Sequence, residues 1–268
     1  MTNFAKCRIC FSETFDLRFV KNNFRIEQCC RCGLTQVTNS PPSSEIDSYY
    51  DEDFFTKFYD RLLNDPKRQA YEYNKFNFRL EEIEQFIPHK GKILDVGCSF
   101  GFFLDAARGK GWQPFGVEIS EFAANYARNN FDLPVMTDLL EELALDSGYF
   151  DVIALWNVIE HVEKPTQLIE EAARILKEGG LLVLTTGNID SPIAKLRKAK
   201  WRVLIPPIHL SYFSPRSIKH LLNSYNLEII YQTCALPYEF LLKTFKALGI
   251  CRKLYISDKM LVYARKIA

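Results

Sequence analysis

No run of about 18 or more apolar residues occurs in the 268-residue chain, so it offers no candidate for a membrane-spanning helix. The chain starts Met-Thr-Asn-Phe-Ala-Lys-Cys, with no apolar stretch of the signal-peptide kind, which argues against a secretory route and a disulfide framework. Strong charge of either sign is also missing. The net charge is +1 with 25% charged residues, the composition of an ordinary soluble protein. There is no internal repeat and no low-complexity tract. Reduced thiols in the cytoplasm are the expected setting. The length allows one main domain with small appendages. Asn39-Ser-Pro-Pro-Ser-Ser44 is the clear linker signal.

What is present concentrates in Lys92-Ile-Leu-Asp-Val-Gly-Cys-Ser-Phe-Gly-Phe-Phe-Leu104 and Gly116-Val-Glu-Ile119. An apolar strand enters a loop of small residues (Gly97, Cys98, Ser99, Gly101) and then a helix. A second strand ends in Glu118, 21 positions after Gly97. Glycine permits a sharp turn and close approach to a ligand, and the helix start offers unpaired N–H groups. A carboxylate at the end of the next strand can accept both hydroxyls of a ribose. Asp95 would be awkward beside a pyrophosphate but suits a cofactor bearing an ammonium and a sulfonium. This disfavours a dinucleotide enzyme.

The loop Asp95-x-Gly97-x-Ser99-x-Gly101 resembles motif I of the class I S-adenosylmethionine-dependent methyltransferases, with Ser99 where a glycine is usual. The resemblance continues in order over residues 91–190. It implies that Asp95, Gly97, Cys98, Ser99, Gly101, Glu118 and Ile119 hold the cofactor, and that Asp138 accepts from the adenine amino group. Asp138 is also a natural N-cap for a helix over 139–145. After the apolar strand Phe150–Trp156, Asn157-Val-Ile-Glu-His-Val162 resembles the segment beside the methionine part of the cofactor and the acceptor. On a helical turn Asn157, Glu160 and His161 would share a face. In related ubiquinone-biosynthesis O-methyltransferases E-x-x-E-H is linked to a divalent metal. Asn157 replaces the first carboxylate here, which favours positioning or packing over metal binding.

A helix carrying Leu168, Ala172, Ile175 and Leu176 is expected to stop at Gly179-Gly180, ahead of a strand over 181–186. With strands at 227–234 and 259–265, the reading is an α/β, Rossmann-like doubly wound sheet of seven strands. By resemblance the last strand is antiparallel.

Cys7-x-x-Cys10, 18 residues, then Cys29-x-x-Cys32 gives two knuckles spaced for a structural four-cysteine zinc ribbon over 1–40. So short a segment needs a metal to fold. It holds six Lys and Arg against three Asp and Glu. Four thiolates on Zn2+ subtract two charges and leave +1, a weak footprint for nucleic acid. Docking of a substrate suits the ribbon better.

Residues 41–90 read as an aromatic-rich helical linker or lid, with Tyr49 and Tyr50 as candidates to reach the active site, and 91–268 as the methyltransferase domain with a substrate-side insertion at 190–215. The insertion carries five cations in Lys195–Arg202 and then Pro206-Pro-Ile-His-Leu-Ser-Tyr-Phe-Ser-Pro215. Its H-x-x-Y-F-S segment resembles a bacterial methyltransferase group tied to sugars and cell-envelope glycans, some of which carry an N-terminal zinc module. His209 is the candidate general base, with His161 second and a histidine satisfied by loop hydrogen bonds as the alternative. The expected acceptor is a sugar or nucleotide-sugar. An RNA or tRNA methyltransferase and a non-catalytic S-adenosylmethionine-binding module are the rivals. Nothing in the sequence fixes the oligomeric state.

Overall fold

The computed structural model describes residues 5–42, 62–234 and 257–268. The aromatic segment 46–59 with Tyr49 and Tyr50 lies outside them, as does Cys251. Two sheets organise the described residues, one of four strands and one of seven.

The larger sheet comprises β4 (Lys92–Val96), β5 (Gln113–Val117), β6 (Val135–Met136), β7 (Phe150–Trp156), β8 (Leu176–Gly187), β10 (Leu227–Cys234) and β11 (Lys259–Lys266), in the order β10-β11-β8-β7-β4-β5-β6. The last strand is antiparallel, as the resemblance implied. β4 pairs in parallel with β5 on one side and β7 on the other. The strand order therefore reverses at β4, and open α/β sheets bind ligands beyond the carboxyl ends of the strands at such a point. Val152 to Leu155 are fully buried, which is why β7 reads as an unbroken apolar run.

Contacts divide the chain into two units: 43–156 with 170–183 and 265–268, and 1–42 with 157–169 and 184–264. In the first, α1 (Pro66–Phe86) begins where Asp65 accepts from the Lys67 amide, with Pro66 at its first position. Tyr73 of α1 donates to Asp105 Oδ2 at 2.6 Å, and Phe76 meets Phe103 and Trp156 edge-on or tilted. This fastens α1 to α2 (Phe102–Gly109). α3 (Glu121–Phe131), capped by Ser120, buries Ala123, Ala124 and Ala127 as the apolar spacing predicts.

The helix after β7 differs from expectation. α4 covers Pro165–Ile175, and β8 starts at Leu176 rather than at 181. The carbonyls of Arg174 and Ile175 accept from the Gly148 and Tyr149 amides at 3.0 and 2.7 Å, so the last turn is satisfied from outside the helix. Residues 139–145 likewise form only a 3-10 turn at Leu140–Glu142, and Asp138 caps no α-helix.

In the second unit, β1 (Phe15–Lys21), β2 (Phe24–Cys29) and β3 (Thr35–Val37) form an antiparallel ribbon. Its fourth strand is β9 (Ser211–Tyr212), where Thr35 faces Tyr212 and Gln36 faces Ser211. The ribbon and the His209 segment thus share one sheet. Between them in sequence lies α5 (Pro192–Arg197), and after β9 comes α6 (Pro215–Asn223), started by a capping box of Ser214 and Ser217. Buried Trp201, Leu204 and Tyr212 pack with Ile26 and Val37 of the ribbon.

Candidate active site

The cofactor loop is built from three left-handed residues, Gly97 (φ +71°), Ser99 (φ +50°) and Gly101 (φ +81°). A Cβ on Gly101 would stand 2.7 Å from Leu133 Cδ1, so this position admits glycine alone. Serine holds the middle position at a backbone angle that side chains adopt less readily, and its amide is fastened to Glu118 Oε2 at 2.8 Å. Ser120 N donates to Glu118 Oε1 at 2.9 Å. Glu118 therefore ties the loop after β4 to the end of β5, the placement its spacing implied.

Two carboxylates lie buried beside this loop, Asp95 in β4 at 2% exposure and Glu118 at the end of β5 at 5%. Burial pushes Asp95 well above the usual carboxylate range, and the charge of Glu118 adds to the shift. Burial also raises Glu118, offset in part by the amides of Ser120 and Ser99. Asp95 Oδ1, Ser99 Oγ and Trp156 Nε1 are buried and have no hydrogen-bond partner among the described residues. Buried polar atoms are nearly always satisfied, so this set calls for a ligand with hydrogen-bond donors, an acceptor and positive charge. S-adenosylmethionine has all three, and a pyrophosphate would be repelled. Cys98 is buried and its thiol is raised by burial. Ile119 is exposed, and Asp138 is exposed and accepts from the Leu139 amide at 2.8 Å.

In the other unit, residues 157–161 form bends and turns and not the expected helical turn. Asn157 is left-handed (φ +57°), and its Oδ1 accepts from Lys259 Nζ at 2.8 Å. The shared face with Glu160 and His161 does not form. What assembles instead is Glu160, His161 and His209, with one ligand-type atom from each within 4.8 Å of the others. The imidazole rings meet edge-on at 4.5 Å between centroids. His161 Nδ1 lies 3.1 Å from the Ile208 carbonyl and His209 Nδ1 lies 2.7 Å from that of Val203. A carbonyl only accepts, so Nδ1 carries the proton in both neutral rings. Burial lowers His161 to about 4 and His209 to about 3, while it raises Glu160 to about 7. The Lys259 charge acts on all three. Glu160 Oε2 is buried without a partner among the described residues. Glu160 and Lys259 were not singled out from the sequence as acid–base groups. For Lys259 no local pattern exists, since it reaches Asn157 from 102 positions away.

Two imidazoles and a carboxylate are also donors for a divalent cation. The Asn157–Glu160–His161 set does not fit one, because the Lys259 ammonium already occupies Asn157 Oδ1.

All four ribbon cysteines converge. Cys7 and Cys32 Sγ lie 3.4 Å apart, as do Cys10 and Cys29 Sγ, and all four fall within 4.8 Å of one another. Cys30 stands apart and exposed.

A family model described as a methyltransferase domain matches residues 60–232, more than half of the chain. The chain belongs to that methyltransferase family. This methyltransferase is 35% identical over 116 residues to a ubiquinone biosynthesis O-methyltransferase of Coxiella burnetii, across 41% of its own length and 50% of the relative's. To the protein of the same description in Thiobacillus denitrificans it is 30% identical over 133 residues, covering 46% and 57%. It spans about half the length of the curated relatives it matches. An S-adenosylmethionine-dependent methyltransferase structure from Clostridium acetobutylicum superposes with a TM-score of 0.58 at 13% identity, over 81% of this chain and 99% of that one. One from Mesorhizobium loti gives 0.54 at 20% identity, over 69% and 96%. At such identities the likeness carries the fold alone. None of the chain's described helices is long and apolar enough to cross a membrane.

Proposed function

We propose that this methyltransferase transfers the methyl group of S-adenosylmethionine to a hydroxyl, or to a carbon next to a carbonyl, of a small molecule. The observation that carries the cofactor half is the set of orphaned atoms around the buried carboxylates Asp95 and Glu118. Asp95 would take the ammonium and Glu118 the ribose hydroxyls, with Ile119, Cys98 and Asp138 lining the adenosine. The cofactor supplies an electrophilic methyl on a sulfonium, and the protein's task is alignment with water kept out.

The acceptor must lose a proton. Glu160, His161 and His209 would share that task, and Glu160 is the member whose affinity for a proton suits neutral pH. The low basicity of His209 and His161 keeps both rings neutral, so they would orient the acceptor and pass the proton on. The relatives' descriptions support O-methylation of a small molecule. The sugar or nucleotide-sugar class rests on the H-x-x-Y-F-S segment alone. Four thiols at Cys7, Cys10, Cys29 and Cys32 fit a tetrahedral zinc, which we assign a structural role.

A base that works as a carboxylate makes kcat/KM rise as pH rises through about 7. Glu160→Gln should remove that inflection and lower turnover by about 100-fold or more, with S-adenosylmethionine affinity kept. A pH–rate profile of the variant that retains the wild-type inflection would take Glu160 out of the mechanism.

A further inference from the structure

In the unit that holds the ribbon, the second cysteine knuckle and α6 border an open surface cleft of about 400 Å3, lined by Arg31, Cys32, Arg216, Lys219, His220, Asn223 and Ser224. Apart from Cys32, whose thiol belongs to the cysteine cluster, each of these side chains can donate a hydrogen bond, and none is a carboxylate. Arg216, Lys219 and His220 are spaced i, i+3 and i+4 and share a face of α6. Arg216 is fixed in place, since its Nη2 donates to the Arg31 carbonyl at 2.9 Å. Its Cδ would lie 3.5 Å from a Cβ at Gly33, in ordinary contact. Gly33 (φ +81°) supplies the turn that brings the knuckle to this helix. Arg31, Arg216 and Lys219 take part in no ion pair among the described residues.

The run Lys195–Arg202, the more obvious anion contact in the sequence, is different. Two of its five cations are partnered, since Arg202 forks onto Asp258 at 2.8 and 2.6 Å and Lys195 lies 3.8 Å from Asp190, while Arg197, Lys198 and Lys200 take part in no ion pair among the described residues. The cations of the cleft come instead from two elements, the knuckle and α6, and converge on one depression of the surface rather than lying along one stretch of chain. A guanidinium presents paired donors that match two oxygens of one phosphate.

We propose that this cleft binds the phosphate or diphosphate group of a small ligand, with Arg31, Arg216 and Lys219 taking its oxygens. The assignment does not depend on the methyl-transfer chemistry, because binding can be measured without cofactor. A phosphorylated acceptor and a free phosphate compound share this chemistry, and the test separates them.

The test is calorimetric titration of the full-length, zinc-loaded protein with inorganic pyrophosphate, uridine diphosphate and a uridine diphosphate sugar at fixed ionic strength. It is repeated on Arg31→Ala and Lys219→Glu, with bound zinc by metal analysis and the unfolding temperature as the control for folding of this unit. Saturable pyrophosphate binding, weakened about tenfold or more in each variant while the control is unchanged, is the expected result. Equal affinity for all three ligands would assign recognition to the phosphate alone, and tighter binding of the sugar ester would point to a phosphorylated acceptor. The proposal falls if pyrophosphate shows no saturable binding, or binds both variants like the wild type. It falls equally if a single-stranded RNA binds more tightly than any of the three and loses that binding in the same variants.

Discussion

A methyl group at Gly101 would meet Leu133 Cδ1 at 2.7 Å and Ala127 Cβ at 2.9 Å, on backbone at φ +81°. Gly101→Ala combines overpacking with a disfavoured conformation, each costing about 1–3 kcal/mol. Urea unfolding should register that loss, and titration should show S-adenosylmethionine binding weakened with it. Glu118→Ala acts differently. It removes the acceptor of the Ser99 and Ser120 amides as well as the proposed ribose contact, and a charge-assisted bond is worth about 1.5–3 kcal/mol. Cofactor affinity should fall by about tenfold or more, and near-native affinity would sink the assignment. These residues were legible because their contacts are close in sequence: Gly97, Ser99, Gly101 and Glu118 fall within one strand–loop–helix–strand unit. Trp156 Nε1 and the Lys259 ammonium were not legible. A strand-end tryptophan and a lysine opening a strand look ordinary until the fold shows which groups surround them.

Strands and helices were read well where one residue period ran through them, as in β7 and α3. Their ends were read less well, because long-range partners decide them. α4 stops at Ile175 where Gly148 and Tyr149 take its final carbonyls, so the glycine pair at 179–180 falls inside β8. β9 is two residues long and exists through its pairing with β3, which no local pattern announces. The loop from Trp201 to His209 is held in a similar way. Buried Asp258 accepts from Trp201 Nε1 at 3.1 Å and from the Arg202 guanidinium, ahead of the carbonyl contact that fixes the His209 ring. Asp258→Ala leaves the Trp201 indole N–H without its partner. The expected loss is about 1–3 kcal/mol, discounted toward the lower end because the Arg202 side chain is 69% exposed. Thermal unfolding checks the stability, and turnover should fall while cofactor affinity stays.

At the scale of the molecule, the cysteine cluster and the His209 segment belong to the same sheet. Cys29→Ser removes one of the four thiols we assign to zinc, and the expected result is loss of bound zinc by metal analysis with a lower unfolding temperature. Turnover should drop as β9 loses its neighbour, whereas S-adenosylmethionine should still bind, since Asp95 and Glu118 belong to the other unit. Full turnover in a zinc-free variant would separate the ribbon from the chemistry. The pairing has a further consequence while the chain is being made. Residue 35 leaves the ribosome long before residue 212, so through most of synthesis β3 is a bare sheet edge awaiting its partner. An unpaired edge is a template for wrong pairing with other chains. Expression of chains cut before residue 211 should therefore yield insoluble protein even with zinc supplied, and a strand from the last quarter of the sequence acts as an internal guard for the first forty residues.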